Sequence, residues 1–305
     1  MTDATPSVAK ENFSGPKLAP FAFLALLGGN AALAAGPLFV RLADVGPVAA
    51  GFWRLALALP VLILFAWRQG NGAAGWSGVR SALGLAAVGG LFFAADLASW
   101  HIGILQTKMA NATLFGNAAS LILAATTLVL ARRLPMRSEG AALLLACVGA
   151  VMLLRESGQQ GEARLIGDLL CLLAGVLYAG YMLTMQRARG TLASWPTLAL
   201  STAAGVLPLL LFAVLLGERL IPGEWGPVIA LAFTSQIVGQ GLLIYALPHF
   251  SALVVGLTLL TQPAVAAMIG WLVYGERLSV VELLGGAMVA AALVLVRLPG
   301  NRASS

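Results

Sequence analysis

The chain has 305 residues, 60% of them hydrophobic and only 10% charged, with a mean hydropathy of +0.92. A soluble protein carries about 25% charged residues, so a water-soluble enzyme or binding module is excluded and the surrounding solvent is largely lipid. The 18 Lys+Arg against 12 Asp+Glu give a net charge of +6, but the basic residues stand at the ends of apolar runs, a pattern that sets membrane orientation and argues against nucleic acid.

A spanning helix needs about 20 mostly apolar residues. The polar start MTDATPSVAKENFSGPK lacks the short apolar core of a cleaved signal peptide, and residues 1–19 read as a cytosolic tail. Ten spans follow, at 20–40, 47–67, 80–105, 108–130, 138–154, 166–186, 195–216, 226–247, 250–273 and 280–296, with a polar external loop over 156–165 and a cytosolic tail over 298–305. Cys147 and Cys171 lie in apolar runs as packing thiols, without the ligand spacing of a metal site. Trp76, Trp195 and Trp225 fall near span ends, where aromatic rings anchor at the interface.

Orientation follows from the basic residues. With the N-terminus inside, eleven fall on the cytosolic side, from Lys10 and Lys17 to Arg297 and Arg302. Six fall outside, namely Arg41, Lys108, Arg155, Arg164, Arg219 and Arg277. The asymmetry places both termini in the cytoplasm, and the composition fits a bacterial inner membrane.

Shifting the chain by 144 residues lays 109–135 over 253–279 without a gap, so that "RRLP" falls on "ERLS" and Asp96 meets Gln240. Pro60 pairs with Pro208 at a nearby shift. Two halves, 20–155 and 166–297, then hold five spans each. An odd number of spans inverts the second half, giving two five-helix inverted-topology repeats in an all-α integral membrane protein. Such repeats underlie alternating access in many secondary transporters. The segment TQPAVAAMIGWLVYGERLSVVELLGGAMVAAALVLV (261–296), with GERLS after the ninth span, resembles the EamA repeat of the drug/metabolite transporter superfamily. The first half departs from that motif with ARRLP (131–135). Within the superfamily the chain is most similar to amino-acid exporters, including those for aromatic amino acids and their analogues. The resemblance implies export of small metabolites by alternating access.

Charges inside a membrane are costly and mark function or pairing. Arg54 and Asp96 sit about 10 and about 14 Å deep at helical rise, and their repeat counterparts, Thr202 and Gln240, are neutral. They are therefore expected to form an ion pair, with Asp96 also a candidate for substrate contact or proton coupling. Asp96, Ser99, Trp100 and Gly103 share a helix face, as do Gln236 and Gln240. Tyr178 and Tyr181 form a stripe, Asn30 lies midway along the first span, Asn117 on the fourth and Gln262 on the ninth. Together they outline a cavity with aromatic walls and few neutral hydrogen-bonding groups, suited to a zwitterion with an apolar side chain. Glu276–Arg277 is expected to cap or pair at an outer helix end, and His101 to serve structure or gating. No catalytic set, metal site or cofactor is expected; the expected partners are a small metabolite, lipid and protons. An integral-membrane enzyme or a non-transporting scaffold is the rival reading, and the sequence carries neither HExxH nor GxSxG.

Overall fold

The computed structural model describes residues 20–70, 76–130, 132, 134–188, 192–246, 249–250 and 252–296; both expected cytosolic tails lie outside them. Among the described residues the chain is helical without strands. The first span is α1 (Pro20–Ala34) with α2 (Gly36–Leu42), followed by α3 (Pro47–Gln69) and α4 (Trp76–Gln106). Next come α5 (Met109–Asn117) with α6 (Ala119–Leu130), then α7 (Arg137–Gln160), α8 (Glu162–Ala188) and α9 (Ser194–Leu215). The eighth span joins α10 (Trp225–Leu231), a π-helical segment (Ala232–Gly239) and α11 (Gln240–Ala246); α12 (Ala252–Leu259) with α13 (Thr261–Tyr274) and α14 (Val280–Leu295) complete the bundle.

Nine of these spans are long and apolar enough to cross a membrane, and α14 is a shorter apolar helix. Its start is set by sequence: the Ser279 hydroxyl accepts from the Glu282 amide at 3.1 Å, and the Glu282 carboxylate accepts from the Ser279 amide at 2.6 Å. This reciprocal box satisfies two donors that a helix start leaves open.

The expected loop at 156–165 is corrected. α7 runs to Gln160 and α8 begins at Glu162, so only Gly161, at φ +139°, separates them. Polarity there does not break the helix, because the polar groups stand four apart and bond along the helix face. Gln160 donates to Glu156 at 3.2 Å and accepts from Arg164.

Four spans are interrupted. Breaks fall at Ala35, Ala118 and Leu260, and the fourth interruption is the π segment. At the breaks the chain tightens: the Ala118 amide bonds to the Phe115 carbonyl at 3.1 Å and the Leu260 amide to Leu257 at 3.2 Å. Irregular backbone at membrane depth is tolerated only where protein or a cavity covers it, and the interrupted spans pack on one another, α1 on the π segment, α11 and α13, and α5 on α13. α4 lies along α8 and α9, α3 along α9, and α1 along the π segment and α11. α7 and α14 pair to one side, where a Cβ on Gly149 would lie 2.7 Å from the Gly285 carbonyl oxygen. Small residues let two backbones approach this closely in lipid. The outward faces of this pair, including Leu144, Val151, Leu283 and Leu284, are exposed and apolar.

Candidate functional site

Two polar regions lie inside this bundle, one at its middle and one at the end carrying the α2–α3, α4–α5, α7–α8, α9–α10 and α13–α14 connections. In the middle, Arg54 on α3 and Asp96 on α4 are 4% and 8% exposed. The expected direct ion pair between them does not form. The Arg54 Nε donates instead to the Gln236 Oε1 at 3.2 Å, while its charge interacts with Asp96 through space. The reason is tertiary: the π segment turns Gln236 toward α3, against which it packs.

Asp96 makes no hydrogen bond among the described residues, and its oxygens are not among the fully enclosed polar atoms. The same holds for the two Nη atoms of Arg54. Both charges therefore keep unpaired atoms with some access. Around them, the Gln236 Nε2, Thr202 Oγ1, Ser235 Oγ and His101 Nε2 are enclosed without a partner among the described residues. An unsatisfied buried polar group costs about 1–3 kcal/mol, and four of them gather in this part of the bundle. His101 lies with Nδ1 2.9 Å from the Pro47 carbonyl oxygen. A carbonyl only accepts, so Nδ1 bears the proton and the enclosed Nε2 is an acceptor.

The aromatic stripe joins this cluster. Phe93 stacks on Tyr181 with centroids 4.8 Å apart, and Tyr178 lies 5.4 Å from Tyr181. The other expected residues divide. Asn30 and Gln262 are brought together, with Gln262 donating to the Asn30 Oδ1 at 2.7 Å and Asn30 to the Leu26 carbonyl at 2.8 Å. They cross-link the first and ninth spans. Trp100 donates to the Ala112 carbonyl at 3.2 Å and is thereby tied to α5. Asn117, at the α5–α6 break, keeps an enclosed Nδ2 without a partner among the described residues. Ser99 and Gln240 are half-buried on α4 and α11.

Of the second polar region the sequence singles out Glu276–Arg277 alone. Asp168 is fully buried and accepts from Ser157 at 2.6 Å, from Asn111 at 3.3 Å and from Thr107. Its signal was available in LIGDLLCLL, a carboxylate in an apolar run of the same kind as Asp96. Arg41 donates to the Ile104 and Thr107 carbonyls and to Glu276 at 2.7 Å, with its guanidinium 4.8 Å from the centre of the Tyr274 ring. Lys108 pairs with Glu282 at 2.6 Å. Glu276 also accepts from the Met109 amide at 3.0 Å, capping α5 as expected for this motif. A second Gly-Glu-Arg-Leu, at 217–220, was missed: Glu218 accepts from the Val48 and Ala49 amides at 3.2 and 2.8 Å and caps α3. Gly217 and Gly275 adopt φ +67° and +64°, which only glycine enters without cost. A depression of about 640 Å³ opens to solvent here against Lys108, Gln160, Arg164 and the 274–279 turn.

Residues 165–298 match the EamA-like transporter family. The second half is an EamA-like stretch. It runs from the start of α8 through α14 and contains both Gly-Glu-Arg-Leu turns. A protein of Archaeoglobus fulgidus described as an uncharacterized transporter is 24% identical over 216 residues, 71% of this chain and 76% of that protein. A crystal structure of a further protein shares the fold at a TM-score of 0.61 and 16% identity, over 93% of this chain and 99% of that one. The likenesses of sequence support a membrane transporter, and the likeness to the solved structure shows the fold alone.

Proposed function

We propose that the chain is a secondary transporter that exports amino acids, aromatic ones among them, across a bacterial inner membrane by alternating access. The observation that carries this reading is the central cluster: two opposite charges inside the bundle, each keeping unpaired atoms, beside an aromatic stack and against the π segment of an interrupted span. Discontinuous spans around a site near the midplane are the usual construction of such carriers.

The halves 20–155 and 166–297 act as inverted repeats in this proposal. Supporting it, the packing of the third span on the sixth recurs as the eighth on the first, and the third on the seventh as the eighth on the second. Left-handed turn residues also recur in order, Gly70 and Arg132 in the first half and Gly217 and Gly275 in the second.

The test is solute flux with the purified protein in liposomes across an amino-acid panel, with and without an imposed pH gradient. Saturable movement is expected. Solute turnover without movement would mean an enzyme, and neither would mean a scaffold. For orientation, a cysteine at Gln159 should react with an impermeant reagent from outside the cell; labelling from the cytosol alone would reverse the topology.

A further inference from the structure

We propose that the central cluster reads the two charges of a zwitterionic α-amino acid separately: Arg54 with the Gln236 amide takes the carboxylate, and Asp96 takes the ammonium. The inference deepens the transport reading and rests on it.

The hydrogen bond between Arg54 and Gln236 is what sorts the polarity of the site. The Arg54 Nε donates to the Gln236 Oε1, which holds that oxygen against the guanidinium. The groups of both side chains left without a partner among the described residues are donors: the Nη groups of Arg54 and the Nε2 of Gln236. Unpartnered donors seek an acceptor, and a planar guanidinium fits a carboxylate in bidentate fashion. On α4, ionised Asp96 can only accept, and it receives nothing from the described residues. Its direct partner would have been Arg54, yet no Arg54–Asp96 contact forms within ion-pair distance while the two charges interact through space. A donor set and an acceptor facing one interior without touching are complementary to a molecule bearing both charges on one carbon.

The side chain of that molecule has a surface to meet. Phe93, on the α4 turn before Asp96, stacks on Tyr181, and Tyr178 lies beside both. Because Phe93 lies one turn from Asp96 on α4, the aromatic surface adjoins the charged groups of the site. An aromatic amino acid therefore satisfies each element of the cluster, whereas a dicarboxylate would place a second anion against Asp96 and a polyamine a cation against Arg54.

Counterflow of labelled L-phenylalanine in proteoliposomes of the full chain tests the assignment with three competitors: L-phenylalanine, L-phenylalaninamide, which lacks the carboxylate, and 3-phenylpropionate, which lacks the ammonium. On the parent protein the two singly charged analogues should compete at least tenfold more weakly than the zwitterion. Asp96→Asn should narrow that gap for 3-phenylpropionate and not for the amide, and Arg54→Gln should do the reverse. Equal competition by all three on the parent overturns the proposal without any variant, so a variant that fails to fold leaves it exposed to refutation. A uniform loss across all three ligands in both folded variants overturns it too, since that reports a scaffold role for the charges. Saturable flux of some other solute, with none of the three competing, overturns this assignment while leaving the carrier reading intact. Absence of flux for every solute overturns both.

Discussion

At one end of the bundle, carboxylates of the second half hold helices of the first: Glu218 on α3, Glu276 on α5 and Arg41, and Glu282 on Lys108. At the other end the described contacts are mainly aromatic and apolar, such as Phe23 with Phe250 at 6.1 Å and Phe65 with Trp195 at 4.9 Å, alongside an exposed bond from the Trp195 amide to Gln69. At the first end, Gly217 and Gly275 turn with positive φ and are each followed by a glutamate, Glu218 or Glu276. The turn becomes an interhelix clasp because the opposing helix start presents amide donors that this carboxylate accepts.

The largest effect should come from the most buried clasp. Lys108 and Glu282 are 8% and 0% exposed in their side chains, and removing one partner of a buried pair costs about 3–5 kcal/mol. Glu282→Ala should therefore lower the thermal unfolding temperature in detergent more than any other change at this end. Lys108→Met combined with Glu282→Leu should recover most of that loss. An unchanged unfolding temperature for Glu282→Ala would remove the clasp from the stability of this end.

An intermediate loss is expected at the paired turns, and its order is informative. Glu276→Gln forfeits a charged hydrogen bond to Arg41 as well as the α5 cap, worth about 1.5–3 kcal/mol. Glu218→Gln weakens a helix cap without an arginine partner, about 0.5–2 kcal/mol. Thermal unfolding of both variants checks the ranking; the reverse order would mean that amide capping, and not the Arg41 pair, dominates these turns.

At the unclasped end, Gln69→Ala should shift stability by no more than about 0.5 kcal/mol, as at ordinary surface positions. A loss comparable with Glu276→Gln, measured in the same way, would erase the contrast between the ends.

The smallest effect concerns Asp44, an exposed residue at the clasped end. Burial pushes its carboxyl up, but the Gly223 and Glu224 amides and Arg219 outweigh that and hold it below its ordinary value of 3.8. A carboxyl lowered on folding stabilises above its unfolded value and loses that contribution as pH falls through the folded one. Asp44→Asn should thus be slightly less stable than the parent at neutral pH, with the difference vanishing once pH falls below the lowered folded value. Acid-unfolding curves of the two proteins should converge there; a difference that persists would assign the effect to geometry.

The sequence by itself determined the solvent, the helical class and the ten spans, since apolar length and charge content are local properties that lipid reads directly. It also flagged Arg54 and Asp96, because a charge in an apolar run needs no neighbour to be conspicuous. It misread 156–165, where polarity stood for a loop although the polar groups bond at helical spacing. The partners were decided only by tertiary structure. Gln236 lies 182 positions from Arg54, and Glu282 lies 174 from Lys108. The interruptions at Ala35, Ala118 and Leu260 and the π segment arise where neighbouring spans cover the irregular backbone. No local pattern encodes which spans pack together, and in lipid it is that packing which decides where each buried polar group finds its partner and which groups go without one.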